Sequence, residues 1–255
     1  MKIGEPDWYK KIWSLDIKGQ SWTEDTENQT AFLIKTLELT GGERILDLAC
    51  GYGRHALSFA RKGFPVVGVD ITQAYVEDAR QTAKAEGLPA DFIHGDIREL
   101  TFADAFDVVL NLADGAIGYL ESDEENLKIF DVIARALKPG GKHFMDVVNA
   151  EHAEAFFPKR HWEAGEKALA LAEFDWDRES RRMLYGGWDI PYGQPAQKPS
   201  VAVECPTRLY SLSELQTILE RRDMRVMGAF SDYRGRPATY KELQLMVYST
   251  KKVVS

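Results

Sequence analysis

Apolar residues along this chain follow two rhythms. Short runs at Ile45–Leu48, Val66–Val69, Asp91–His94, Phe106–Asn111 and Lys142–Val148 have the length of buried strands. Between them, apolar positions recur at helical spacing: Ala56, Leu57, Phe59 and Ala60, then Ala74–Ala85, then Leu127, Phe130, Ile133, Ala134 and Leu137 within Glu124–Leu137. Gly63 and Gly87 end two of these helices, and Thr72 starts one. Strand alternating with helix predicts a parallel sheet covered on both faces. Ahead of this core, Trp8, Tyr9, Ile12, Trp13 and Leu15, and then Phe32, Leu33, Leu37 and Leu39, predict preceding helices.

The alternation breaks over residues 151–210. Segments 168–175 and 181–190 read as a hairpin around Trp176–Ser180, and a proline-spaced loop leads to a third strand, Val201–Tyr210. A small antiparallel insertion is expected there, standing as a lid over the sheet edge. Its aromatics Trp162, Trp176, Tyr185, Trp188 and Tyr192 suit a pocket lining or the insertion's own core. Glu214–Arg222 reads as a helix capped by Ser211 or Ser213, and Arg225–Asp232 with Leu243–Thr250 as a closing antiparallel pair. The division is therefore 1–40 covering helices, 41–150 core, 151–210 insertion and 211–255 closing helix and hairpin.

The chemistry concentrates in Arg44–Thr72. The first strand ends in Ala-Cys-Gly-Tyr-Gly, where Gly51 and Gly53 allow a tight turn and close approach of a ligand to the backbone. The following helix start offers unpaired N–H groups. Asp70 ends the second strand 17 residues beyond Gly53, the placement of a carboxylate that meets ribose hydroxyls. An adenosine-containing cofactor is expected. Gly51-x-Gly53-x-x-Ala56 also satisfies a dinucleotide pattern, so an NAD(P)-dependent oxidoreductase stays open. Asp47, four residues before Gly51, suits an amino-acid ammonium better than a pyrophosphate.

Asp47-Leu-Ala49-Cys-Gly51-Tyr-Gly53 resembles the first motif of the class I S-adenosylmethionine (SAM)-dependent methyltransferases, with Ala49 in place of its first glycine. Leu-Lys-Pro-Gly-Gly at 137–141 is a second mark of that family. The resemblance implies a doubly wound, mostly parallel seven-stranded sheet of the Rossmann-like methyltransferase type, ending in an antiparallel hairpin. It implies that Asp96 accepts from the adenine amino group, that Ile97 packs on the ring, and that Tyr9 on an N-terminal helix covers the cofactor. Asp47, Asp70, Asp96 and Asn111 fall along one rim, since ligands of open parallel sheets bind outside the carboxyl ends of strands. The expected cofactor set is Tyr9, Asp47, Ala49, Gly51, Gly53, Asp70, Ile71, Asp96, Ile97, Asn111 and Leu112. Tyr119 lies just beyond the fourth strand, near a pocket floor, and His152 follows the fifth; these are the catalytic candidates. Tyr119, Asn149, Trp188, Arg208 and Tyr233 are substrate candidates, the last two as holders of an anion.

Composition narrows the partners. With 255 residues, 44% hydrophobic and 28% charged, the chain suits one α/β domain with an insertion. A net charge of −8 counts against nucleic-acid binding and makes an RNA methyltransferase the weaker variant. Cys50 and Cys205 support no disulfide framework, and no residue spacing suggests a metal site. No signal-like or membrane-spanning run is present, so a cytoplasmic monomer or homodimer is expected. The expected function is methyl transfer from SAM to N or O of a small molecule, with S-adenosylhomocysteine (SAH) as product and no metal. A non-catalytic SAM-binding or partner protein is the other alternative.

Overall fold

The computed structural model describes residues 7–20, 23–196 and 205–253. A seven-stranded sheet forms the centre. Its strands are β1 (Ile45–Leu48), β2 (Val66–Asp70), β3 (Ala90–His94), β4 (Phe106–Asn111), β5 (Leu137–Val148), β10 (Met224–Phe230) and β11 (Gln244–Lys251), in the order β10-β11-β5-β4-β1-β2-β3. β1 to β5 are mutually parallel, and β11 runs antiparallel to both β5 and β10. The order reverses between β1 and β4, the position where such sheets open a crevice at the carboxyl ends.

Alternation along the strands feeds two cores. Leu46, Leu48, Val67, Val69 and Val109 point to one face, under α4 (Asp123–Ala136) and α6 (Leu212–Glu220). Ile45, Val66, Val108 and Leu110 point to the other, under α1 (Thr26–Thr36), α2 (Arg54–Arg61) and α3 (Gln73–Glu86). With both faces covered, the strands read as continuous apolar runs. The expected helix boundaries hold to within two residues. Gly87 ends α3 in the left-handed conformation, and Ser211 starts α6 with a capping box to Glu214.

Three regions differ from the sequence reading. The aromatic stretch before α1 forms two single turns, Trp8–Lys10 and Leu15–Gly19, and no long helix. Ser14 accepts from the Asp16 N–H and restarts the chain at the second turn. The Leu-Lys-Pro-Gly-Gly run is a bulge inside the β4–β5 ladder, because Phe106 pairs with Leu137 while Val108 pairs with Lys142. The insertion has four strands, β6 (Lys159–Ala164), β7 (Ala168–Asp177), β8 (Arg182–Pro191) and β9 (Cys205–Arg208), all antiparallel in that order. β6 is an edge strand with almost every residue exposed, so it carries no apolar alternation to betray it. Of the expected strand Val201–Tyr210, residues 201–204 lie outside the described ones.

The insertion packs on the core through α5 (Ala150–Phe156), where Val148, Ala153, Phe157, Phe174, Met183 and Leu209 form a third cluster. Two hydrogen bonds tie it to the segments beside the cavity: Arg208 N–H donates to Gly118 O at 2.8 Å, and the Trp8 indole to Pro206 O at 3.3 Å. Among the described residues no helix is long and apolar enough to cross a membrane.

Candidate active site

The turn after β1 is left-handed at three residues, Ala49 (φ 54°), Gly51 (φ 59°) and Gly53 (φ 80°). The two glycines serve different needs. A Cβ on Gly53 would stand 2.8 Å from the Phe92 ring, whereas at Gly51 it would meet nothing within 4 Å. Gly53 is therefore fixed by packing, and Gly51 by backbone conformation beside open space. As N-cap of α2, Gly53 has no side chain to satisfy the helix start. Asp47 does this from β1, its buried carboxyl meeting the Ala56 N–H. Burial pushes that carboxyl up to about 7, opposed by Arg54 and reinforced by Asp70.

Asp70 ends β2 with both oxygens engaged: Gly51 N–H donates to one and Thr72 N–H to the other, each at 2.8 Å. A carboxylate has about four lone-pair sites, so two still face outward. Burial raises its pKa and the two backbone bonds resist. Asp96 caps the turn Ile97–Glu99 and holds the Arg98 guanidinium at 2.5 Å. Burial disfavours its charge, but Arg98 outweighs this and keeps the carboxyl below its usual range. Arg98 also reaches Glu121 and Glu125.

Beyond β4, four consecutive residues are left-handed: Ala113 (φ 51°), Asp114 (φ 69°), Gly115 (φ 52°) and Ala116 (φ 63°). The turn is held by Asn111 Nδ2, which donates to Gly115 O, and by Asp114 N–H, which donates to Asp146 O at 2.8 Å. It aims Asp114 at Tyr119, whose hydroxyl donates to Asp114 Oδ2 at 2.9 Å. Burial pushes the Asp114 carboxyl up to about 6 against that bond. Behind it, Asp146 accepts from Tyr233 and Gln244, both at 3.0 Å, and burial lifts it to about 7.

These elements enclose one cavity of about 910 Å³, counting the part open to solvent. Ala49, Gly51, Asp70, Ile71, Asp96, Ile97, Leu112 and Tyr119 line it, as does Tyr9. Tyr9, Trp13 and Ile17 come from the N-terminal turns and make a roof. The Tyr9 hydroxyl donates to Glu121 and the Tyr75 hydroxyl to Ser14 O, each at 2.9 Å, while Lys18 pairs with Asp78. Trp13 stacks on Tyr119 at 6.4 Å between centroids. The residue types fit SAM: an open glycine turn, a fixed carboxylate with outward lone pairs, and apolar walls around a second acid.

Not every expected residue reaches the cavity. Asp47, Gly53 and Asn111 stand behind its wall, one holding α2, one packed on Phe92 and one bracing the left-handed turn. Asn149 caps α5 and bonds Thr239 O, which removes it from the rim. His152 lies buried on α5 with Nδ1 bonded to Lys241 O, turned away from the cavity; as the general base it is set aside. Arg208 is paired with Glu214, and Tyr233 with Asp146, so neither presents itself to an anion in the cavity. Trp188, on β8, pairs with Leu171 of β7 and does not line the cavity. The sequence reading missed Trp13, Ile17, Tyr52, Arg54, Tyr75 and Asp114. Arg54 had a signal, since it is the first helical residue after the glycine turn. Asp114 had little, because left-handed geometry at alanine and aspartate leaves a weak mark in sequence.

The strand order and the position of the cavity at the switch point are those of the Rossmann-like fold of the class I SAM-dependent methyltransferases. Residues 45–141 match the family model described as a methyltransferase domain. A putative methyltransferase, YqeM of Bacillus subtilis, is 35% identical over 116 residues, 45% of this chain and 46% of that one, so the match spans less than half of that relative. The cypemycin N-terminal methyltransferase of a Streptomyces species is 28% identical over 209 residues, covering 81% of this chain and 82% of that protein. The solved CcbJ methyltransferase of Streptomyces caelestis superposes with a TM-score of 0.74 at 16% identity, covering 98% and 96% of the two chains.

Proposed function

We propose that this protein transfers the methyl group of SAM to a nitrogen or oxygen of a small-molecule acceptor. The observation that carries the reading is that one cavity gathers Gly51, Asp70, Asp96 and Ile97 from three successive strand ends, beneath an aromatic roof. In this reading the outward lone pairs of Asp70 accept the ribose hydroxyls, and Asp96 accepts from the adenine amino group. Ile71 and Ile97 pack on the adenine ring, and Ala49, Gly51 and Leu112 meet the methionyl part. Asp47 acts one step back, by holding the start of α2.

When bound, SAM supplies an electrophilic methyl group. The chain's contribution is alignment and exclusion of water: Tyr9, Trp13 and Ile17 cover the cavity, and apolar walls lower its dielectric. The N-terminal segment and the β6–β9 insertion both belong to the cover in this proposal. An acceptor nitrogen is kept alongside oxygen, since the Streptomyces relative is named an N-terminal methyltransferase. Calorimetric titration with SAM, SAH and NADH tests it. Micromolar binding of the first two without the third is the expected result. Binding of NADH alone would replace methyl transfer with hydride transfer.

A further inference from the structure

The two sheets end in four edge strands, and these are not alike. On β3, the Arg80 guanidinium donates to Phe92 O at 2.9 Å, a side-chain cap on that strand. β10 carries a register shift between Val226 and Gly228, the kind of irregularity that blunts an edge. β9 is buried at all four of its residues. β6 has none of these guards. Its register with β7 runs unbroken from Lys159↔Phe174 to Ala164↔Leu169, and five of its six residues are exposed.

Backbone alternation sets which groups of β6 face outward. Gly165 N–H donates to Ala168 O at 3.0 Å, so Gly165 and every second residue before it bond to β7. Arg160, Trp162 and Ala164 therefore point their N–H and C=O groups away from β7, at the last edge of the sheet. Their side chains share the face opposite to that of Phe174 and Met183, which press on the core. On this outer face two cross-strand rows are apolar: Trp162, Leu171 and Trp188, then Ala164, Leu169 and Ile190. Trp162 is 66% exposed, and among the described residues no core cluster includes either row.

We propose that β6 pairs antiparallel with β6 of a second copy of this chain, Trp162 opposite Trp162 on a two-fold axis, joining two four-stranded sheets into one of eight. A two-fold axis normal to the sheet keeps the same face outward in both copies, so outer-face residues must oppose outer-face residues. Centring on Trp162 sets Arg160 opposite Ala164 of the second copy, and all three outward-pointing residues then exchange both backbone bonds. Centring on His161 would engage only Arg160 and Trp162. Charge on the other face agrees with the first register: Glu163 stands opposite His161 of the second copy and diagonal to its Lys159, within reach of both. On the outer face the tryptophan rows of the two copies become continuous across the axis. Each copy has one such edge, and pairing consumes it, so the assembly closes at two.

The test is light scattering of the full chain over a concentration series, with the mass of two chains expected at tens of micromolar. Trp162→Lys, at an exposed position, sets two like charges on the axis. It should raise the dissociation constant at least about thirtyfold, the effect of losing a hot-spot residue. Ala164→Pro should also weaken the dimer, because it removes an outward N–H that β7 does not use. Met227→Lys, also exposed but on β10, should leave the dimer intact. Circular dichroism of each variant checks that it is folded. For the register, Trp162→Cys should crosslink the two copies in oxidised glutathione, since directly opposed Cα atoms lie about 5.5 Å apart. Arg160→Cys, whose counterpart lies four residues along the strand, should not. A wild-type chain that stays single at every concentration, one that grows beyond two, or a dimer that survives Trp162→Lys would each overturn the proposal. Crosslinking through Arg160→Cys alone would overturn it as well.

Discussion

Gly118→Ala should destabilise the protein by several kcal/mol, and a matched control inside the same chain isolates why. Gly118 has φ +87°, and a Cβ there would stand 2.0 Å from the Arg208 carbonyl oxygen. That neighbour is backbone, so no side-chain rotation relieves the collision. Gly63 has φ +89° and nothing within 4 Å of its Cβ position. Both variants carry the left-handed penalty of about 1–2 kcal/mol. Only Gly118→Ala adds overpacking of about 1–3 kcal/mol. It also strains the 2.8 Å bond from Arg208 N–H to Gly118 O, worth about 1 kcal/mol. The two variants should therefore differ by about 2–4 kcal/mol in urea denaturation, with Gly118→Ala the less stable. Equal losses would show that the loop after β4 moves freely away from the insertion, and the reasoning about their junction would fall.

The remaining predictions concern binding and pH. Asp70→Ala should weaken SAH binding by about 1–3 kcal/mol, since it strips the outward acceptors and leaves the Gly51 and Thr72 N–H groups without partners; unchanged calorimetric affinity would remove Asp70 from the site. His143 is fully buried against Ser249, and burial lowers its pKa to about 3. Below about pH 6.5 the unfolded chain binds a proton that the folded chain refuses, so stability falls on acidification. His143→Asn should lose about 2 kcal/mol less than wild type between pH 7.5 and 5. Parallel stability curves for the two proteins would contradict the burial argument. Asp47 and Asp146 act in the opposite sense: with folded pKa values raised to about 7, they hold protons the unfolded chain has lost, and their contribution fades as pH rises from about 4 to 7.

Much of this was legible in the chain. Ile45–Leu48 and Phe106–Asn111 are strands with the boundaries their largely apolar runs give, because both flanking faces are buried, and Asp47 and Asp107 are the aspartates within them. Asp70, Asp96 and the glycine turn came together because parallel strands deliver their carboxyl ends to one rim. Edge and surface elements were harder to see. β6 buries almost nothing, so Lys-Arg-His-Trp-Glu-Ala carries no period. Asp114 owes its position to four left-handed residues, a backbone event with no side-chain code outside glycine. His152 looked available because it follows a core strand, yet α5 turns it toward the loop at Lys241.

The two parts of the N-terminal segment are fastened by bonds of different kinds. α1 is clamped to α2 by partly buried contacts, with Gln29 meeting both Arg54 and His55, and Glu27 meeting Ser58. The roof ahead of it is held by the buried rings of Trp8 and Tyr9, by hydrogen bonds from Trp8, Tyr9 and Tyr75, and by the exposed pair Lys18–Asp78. Exposed ion pairs are worth little and weaken in salt. Lifting this strip would uncover both buried aromatics, so the cover is held by packing more than by its surface charges.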